Sequence, residues 1–300
     1  KLALTAKIQD EVGHAQLIYR VVEDLGKPRS ACLDDLVSGK AKFHNVFHYP
    51  TKTWGDVGVI AWLVDAAAII SQKALLKCSY APYARIMKKI CWEESFHILH
   101  GRDVILTMMN GTDEQRELVQ EALNRWWGPL MQFHGNPIPS DEDPMYLWRI
   151  KSQGNDEARQ QFLDGYVPQI WELGLTVPDP KLRKNEETER WEFTEPDWDE
   201  LKHVVTGHGP RTAERLELRR ASREETEWVR GPVGTRAPPP RSRRRTTRSP
   251  TGMRVRSSVA AASRSRSGSS LARRCTRSRS SSTSSSATTT ASTAIRSRRS

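Results

Sequence analysis

The sequence predicts an all-α protein built on a four-helix bundle with additional helices after it, and three observations carry that expectation. Apolar residues recur at helical spacing through almost all of the first 175 residues. Gly and Pro fall between these periodic blocks instead of inside them. Strand signals are confined to a short extended piece at residues 190–194. The first block covers residues 1–26 and stops before Pro28. A loop with a short helix leads to Thr53, the cap of a second long helix over residues 54–79, which is apolar on nearly all sides and so belongs at the centre. Pro82 opens a third helix that stops at Asn110 and Gly111. Thr112 and Gln115 form a capping box for a fourth, to about residue 127. Further helices are expected at residues 155–174, 195–206 and 211–230.

Charge divides the chain in two. The formal net charge is +11, but residues 231–300 hold 17 Arg and no Lys, Asp or Glu, leaving 30 basic against 36 acidic residues in the rest. All ten Trp also precede residue 231. We therefore expect a folded domain over residues 1–230 and an Arg/Ser-rich, low-complexity tail over 231–300 that does not order with it. The tail's basicity comes from Arg alone, which suits a reading-frame change; the rival reading is an Arg/Ser nucleic-acid-binding tail. The four Cys show no metal-ribbon spacing and read as reduced thiols. The apolar stretch of residues 57–70 reads as too short to span a bilayer, and no secretory signal opens the chain, so the expected location is cytoplasmic. The chain opens at Lys1 inside a helical pattern, which points to a missing first helix.

The chemistry-bearing residues interrupt the apolar seams. On the first helix Leu4, Ile8, Glu11, Ala15, Ile18, Val22 and Leu25 follow a three-and-four spacing, with Glu11 as the one charge and His14 beside it. On the third, Tyr83, Met87, Ile90, Glu94, His97, Gly101, Val104 and Met108 repeat the arrangement. Two buried Glu-x-x-His pairs need a compensating charge, and a metal ion supplies one. Carboxylate and imidazole donors at this spacing suit iron, and two such pairs with a single carboxylate from each of two other helices make a ferritin-like di-iron site. The alternative is an interhelical salt bridge or satisfied core histidines. A third pair, Glu200 and His203, lies opposite an apolar face and reads as solvated.

Asp65 is a lone acid in the most apolar helix and is the candidate single carboxylate, a core cap or bridge being its alternative. The second such carboxylate is expected upstream of Lys1. Lys7, one turn before Glu11, can neutralise a ligand carboxylate or pair on the helix surface. His100 reads as a supporting or surface residue. Phe47, His48 and Tyr49 precede Pro50 and can line a pocket or simply pack.

The segments Lys7-Ile-Gln-Asp-Glu-Val-Gly-His14, Trp54-Gly-Asp-Val-Gly-Val-Ile-Ala-Trp-Leu-Val-Asp65, Tyr80-Ala-Pro-Tyr-Ala-Arg85 and Glu93-Glu-Ser-Phe-His97 closely resemble the catalytic subunits of the phenylacetyl-CoA epoxidase family. So do Val167-Pro-Gln, Leu175-Thr-Val-Pro-Asp-Pro180 and Trp198-Asp-Glu, and the likeness stops after Trp228-Val-Arg230. The resemblance implies a di-iron oxygenase in which Glu11, His14, Asp65, Glu94 and His97 serve two irons. It places Lys7 beside the metal and Phe47 in a pocket wall. It further implies NADPH electrons arriving through a separate flavin and iron-sulfur reductase, a non-catalytic ferritin-like partner with small accessory subunits, and phenylacetyl-CoA as substrate.

Overall fold

The structure is a computed structural model that describes residues 2–230, with side chains described through residue 222. The expected tail at 231–300 lies outside the described residues.

Helix α1 (Leu2–Asp24) ends where Gly26 turns to φ +92°. The Gly26 amide donates to the Glu23 carbonyl and Lys27 to Val22, so a Schellman motif satisfies the last carbonyls. A shorter helix α2 (Arg29–Val37) and a 3-10 turn (Asn45–His48) follow. The central rod then begins at Thr53, whose hydroxyl accepts from the Asp56 amide while Asp56 accepts from the Thr53 amide. It runs as α3 (Trp54–Val59), a π-helical turn (Ile60–Val64) and α4 (Asp65–Lys73). Helix α5 (Ala81–Met109) opens with Pro82 in its first turn, and α6 (Asp113–Met131) opens with the Thr112–Gln115 box. Beyond them lie a single turn α7 (Pro144–Leu147), helix α8 (Asn155–Glu172), a two-stranded antiparallel ladder of β1 (Arg183–Lys184) and β2 (Trp191–Glu192), and α9 (Trp198–His203). A π turn (Val204–His208) leads into the last helix, α10 (Thr212–Arg230).

The rod α3–α4 is the core. Trp62, Leu63, Ala66 and Ala67 are fully enclosed, with Ile105 from α5, Val119, Ala122 and Leu123 from α6, and Phe162, Leu163 and Val167 from α8. By length and composition Trp54–Lys73 is apolar enough to cross a membrane, contrary to the shorter stretch expected above, yet 72% of its apolar window is buried in this core. The rod stops at Lys73, not residue 79, and α6 runs on past residue 127 through Pro129.

Asp56 fixes the start of the rod. Its carboxylate is wholly buried and accepts from the Lys52 and Thr53 amides at 2.8 and 2.7 Å, from Arg125 Nη2 at 2.9 Å and from Trp126 Nε1 at 3.0 Å. Burial alone would raise its pKa, but these donors hold it below the ordinary carboxylate value. Helix α5 crosses the rod at Gly101, where an added Cβ would lie 2.3 Å from the Ala61 carbonyl carbon.

One expectation fails on α1. Its Leu4-to-Leu25 seam is not buried: Ile8 is 57% and Leu25 64% exposed, and the buried residues of the helix are His14 and Val21. Helix α1 packs principally on α5, with α2 folded against it, so only the edge facing α5 loses its water. The matching seam on α5 behaves as expected, with Met87, Ile90, Glu94, His97, Gly101 and Met108 all buried.

Two glycines separate packing from propensity. Gly101→Ala is expected to cost about 1–3 kcal/mol or more in urea unfolding, because the backbone it meets has nowhere to move. Gly128→Ala on the exposed side of α6 meets nothing within 4 Å and is expected to stabilise by about 0.4–1 kcal/mol.

Candidate metal centre

The two Glu-x-x-His pairs meet where α1 crosses α5. One ligand atom from each of Glu11, Glu94 and His97 can be chosen so that all lie within 4.8 Å of one another. His14 closes the group, its Nδ1 standing 3.4 Å from Glu94 Oε1 and 3.6 Å from Glu11 Oε2. His97 Nδ1 donates to Glu94 Oε2 at 3.0 Å, and its ring centroid is 6.1 Å from that of His14. His14, Glu94 and His97 are buried, while the Glu11 side chain is 47% exposed. Asp65, the first residue after the π turn, is held by the ammonium of Lys7, and the charges of Glu94 and Glu11 reach it.

Two further acids complete the geometry, and motif reasoning had passed over them. His14 Nε2 is 3.1 Å from Glu93 Oε2, and His97 Nε2 is 3.2 Å from Asp10 Oδ2. Each histidine on one helix is thus braced by the acid that directly precedes the pair's glutamate on the other helix. The repeated Asp10-Glu11 and Glu93-Glu94 doublets are the sequence signal for this. A carboxylate at the outer nitrogen fixes ring orientation and raises the basicity of the inner one.

The remaining predicted residues sit elsewhere. Phe47 lines a pocket with Phe43, Arg215, Leu218 and Arg219, none of them in the cluster. His100 borders a groove with Trp54 and Asp103. Glu200 and His203 are exposed, as expected, with Glu200 accepting from the Tyr49 hydroxyl at 3.2 Å. His48 is buried and bonded to Thr212 Oγ1 at 2.6 Å.

Electrostatics make the cluster self-compensating. Burial alone would lower the His14 pKa, but Glu11, Glu94 and Glu93 outweigh it and raise it to about 10. Burial would raise that of Glu94, yet His14 and His97 bring it down to about 2. His97 is also raised, with burial opposed chiefly by Glu94. Asp65 is pushed up to about 7 by burial, against the pull of Lys7. With the protein metal-free, the His14 contribution to stability is fully present below its ordinary 6.5 and is lost as pH rises through about 10. That of Glu94 is present above 4.5 and lost as pH falls through about 2. Asp65 acts in the opposite sense and opposes folding as it ionises.

The donor set fits a divalent metal. Carboxylate oxygens and imidazole nitrogens converge from two helices, with Lys7 on Asp65 and Lys89 on Glu93 as the neighbouring cations. A metal ion takes neutral imidazole, so binding must expel the proton that His14 carries at neutral pH, and any that His97, its pKa also raised, still holds. Cobalt(II) affinity, followed by absorbance titration, should rise about tenfold per pH unit for each proton expelled between about pH 6 and 9; a flat profile would exclude these imidazoles as ligands. Asp10→Asn and Glu93→Gln should each weaken cobalt(II) binding about 10- to 100-fold with helix content unchanged.

Comparison with known proteins agrees with this geometry. Residues 1–228 match the family described as phenylacetic acid catabolic protein. A relative in Escherichia coli (strain K12), one subunit of 1,2-phenylacetyl-CoA epoxidase, is 45% identical over 232 residues, covering 77% of this chain and 75% of the relative. The two His-bearing pairs, the crossing that joins them and this match together establish that the chain belongs to the phenylacetic acid catabolic protein family.

Proposed function

We propose that this chain is the catalytic subunit of a multicomponent monooxygenase that epoxidises the aromatic ring of phenylacetyl-CoA in phenylacetate breakdown. The observation that carries the reading is the meeting of Glu11, His14, Glu94 and His97 at one crossing, in a chain 45% identical to a phenylacetyl-CoA epoxidase subunit. The domain responsible is residues 1–230, and the stretch 231–300 takes no part.

Glu11, His14, Glu94 and His97 would hold a pair of iron ions, with Asp65 joining once it leaves Lys7. Bound there, iron supplies reductive activation of O2, one atom of which goes to the ring and the other to water at the expense of NADPH. The chain's own residues prepare that chemistry. Glu94 stays ionised at any physiological pH, because two imidazoles flank it. Asp10 and Glu93 hold the rings from outside. The Lys7 ammonium pairs with Asp65 and supplies the opposite charge that its carboxylate needs.

The relative is one component of a larger enzyme by its name, which implies others here. We assign electron delivery to a reductase carrying flavin and an iron-sulfur cluster, and assembly to a non-catalytic ferritin-like partner with small accessory subunits. The assignment carries with it a cytoplasmic location. Another ferritin-like di-iron activity, such as iron oxidation, is the alternative, and nucleic-acid binding through the Arg/Ser stretch is a lesser one.

Reconstitution with the partner subunits and reductase tests the proposal. NADPH- and O2-dependent epoxidation of phenylacetyl-CoA is expected, and iron oxidation without substrate turnover would favour the alternative. Glu94→Ala and His97→Ala should each bring epoxidation to background and deplete iron in the same samples, while far-ultraviolet circular dichroism stays unaltered. Retained epoxidation in either variant would remove that residue from the site.

A further inference from the structure

A pocket of about 330 Å³ lies between the C-terminal half of α6 and the loops at residues 178–180 and 194–197, and it shares no residue with the metal centre. Four of its wall residues, Asp179, Glu195, Asp197 and Glu200, are acids, and none is Lys, Arg or His. Asp179 is fully used: it accepts from the Thr194 amide at 3.0 Å, from Thr194 Oγ1 at 2.6 Å and from the Lys181 amide at 3.0 Å, which ties the two loops together. The other three are exposed and, among the described residues, form no ion pair. Arg159 is near enough to Glu195 for their charges to interact, but it is held by Asp156 and by the Met131 and Gly135 carbonyls.

Solvated acids alone would indicate nothing, but two buried polar groups stand beneath them. Gln132 is 3% and Trp127 4% exposed. The Gln132 amide nitrogen donates to the Asp197 carbonyl at 2.8 Å and to Glu200 Oε2 at 3.4 Å, which sets the amide head against the pocket, while its Oε1 has no donor. Trp127 Nε1 has no acceptor. Buried groups of this kind destabilise a fold unless something hydrogen-bonds to them. The pocket thus calls for a donor at Gln132, an acceptor at Trp127 and positive charge at its rim. Among the described residues only Glu11, Glu94 and His97 bring three donor atoms within 4.8 Å of one another, so the acids here are too widely spread to share one metal ion. A guanidinium is itself spread: it is planar, always charged and weakly hydrated, with five donors that can reach an amide oxygen and two carboxylates together. Three prolines, Pro178, Pro180 and Pro196, and the Asp179–Thr194 tie hold the walls in place beforehand, which lowers the cost of ordering on binding.

We propose that this pocket is the docking site for an arginine presented by a partner protein. Its guanidinium donates to Gln132 Oε1 and to the carboxylates of Glu195 and Glu200, and a main-chain carbonyl beside it accepts from Trp127 Nε1. The proposal does not depend on the reaction catalysed at the metal centre.

Nuclear magnetic resonance of the full-length chain, labelled with nitrogen-15 at Trp, tests this through the Trp127 indole N–H signal, assigned by its loss in Trp127→Phe. The probe is an end-blocked Gly-Arg-Gly peptide, with the citrulline peptide, the lysine peptide, free arginine and calcium chloride as separate arms. The arginine peptide should shift the signal saturably at millimolar concentration, and more weakly as salt rises. The citrulline peptide, of the same shape but uncharged, should not. Glu195→Gln/Glu200→Gln should weaken binding about tenfold or more; both positions are exposed, and Gln keeps an acceptor for Tyr49 and Trp198, so folding is not at issue. No shift with the arginine peptide, an equal shift with citrulline, or equal binding by the double Gln variant would overturn the proposal. The lysine peptide binding as tightly would overturn the guanidinium assignment, and calcium binding more tightly than the peptide would make this a metal site instead. Free arginine binding tenfold more tightly than the blocked peptide would identify an amino-acid site and refute docking of a protein.

Discussion

Glu94 is the charge around which the bundle is assembled. A carboxylate inside a helix crossing is stable only with opposite charge against it, and His14 from α1 and His97 from its own helix provide that charge. The consequence runs outward. Helix α1 has few apolar contacts of its own, with Val21 its only buried hydrophobic residue, so its hold on α5 depends on two polar pairs, Glu93 with His14 and Asp10 with His97, while Lys7 with Asp65 ties it to α4. The arrangement that could hold a metal ion also fastens one helix to the rest.

Such polar fastening works because the other partners are rigid. The rod α3–α4 is clamped at its start by Asp56, whose donors come from the preceding loop and from Arg125 and Trp126 on α6. It is clamped at its middle by α5, which approaches backbone to backbone at Gly101. The π turn carries this second clamp and hands over just beyond it to Asp65. The acid that faces Lys7 therefore follows directly on the buried middle of the rod.

The helices and the pair on α5 were legible because local signals and burial agree there. Thr53, Pro82 and the Thr112–Gln115 box set helix starts, and on α5 the apolar spacing and the polar break at Glu94 and His97 coincide with what is buried. On α1 the same spacing misled, because periodicity reports which residues share a face and not whether a neighbour covers it; Ile8 and Leu25 remain in water. Asp10 and Glu93 escaped because an acid next to a candidate ligand points away from its own cluster in one helix and becomes relevant only when a second helix crosses. Nothing next to Asp56 in the sequence announces its role, because its partners Arg125 and Trp126 lie some 70 positions later. Nothing local in Phe47 indicated that α10 would come to lie over it.

The π turn at Ile60–Val64 amounts to an α-helix with one residue too many. An α-helix advances about 100° per residue. In an unbroken α-helix one residue more would rotate everything beyond it by that angle, whereas here the π turn absorbs it, and loss of a single codon would restore ordinary winding with Asp65 left in place. The turn behaves as a gear tooth: it lets the apolar residues before it keep their register with α6 while those after it are indexed independently to α5 and α8.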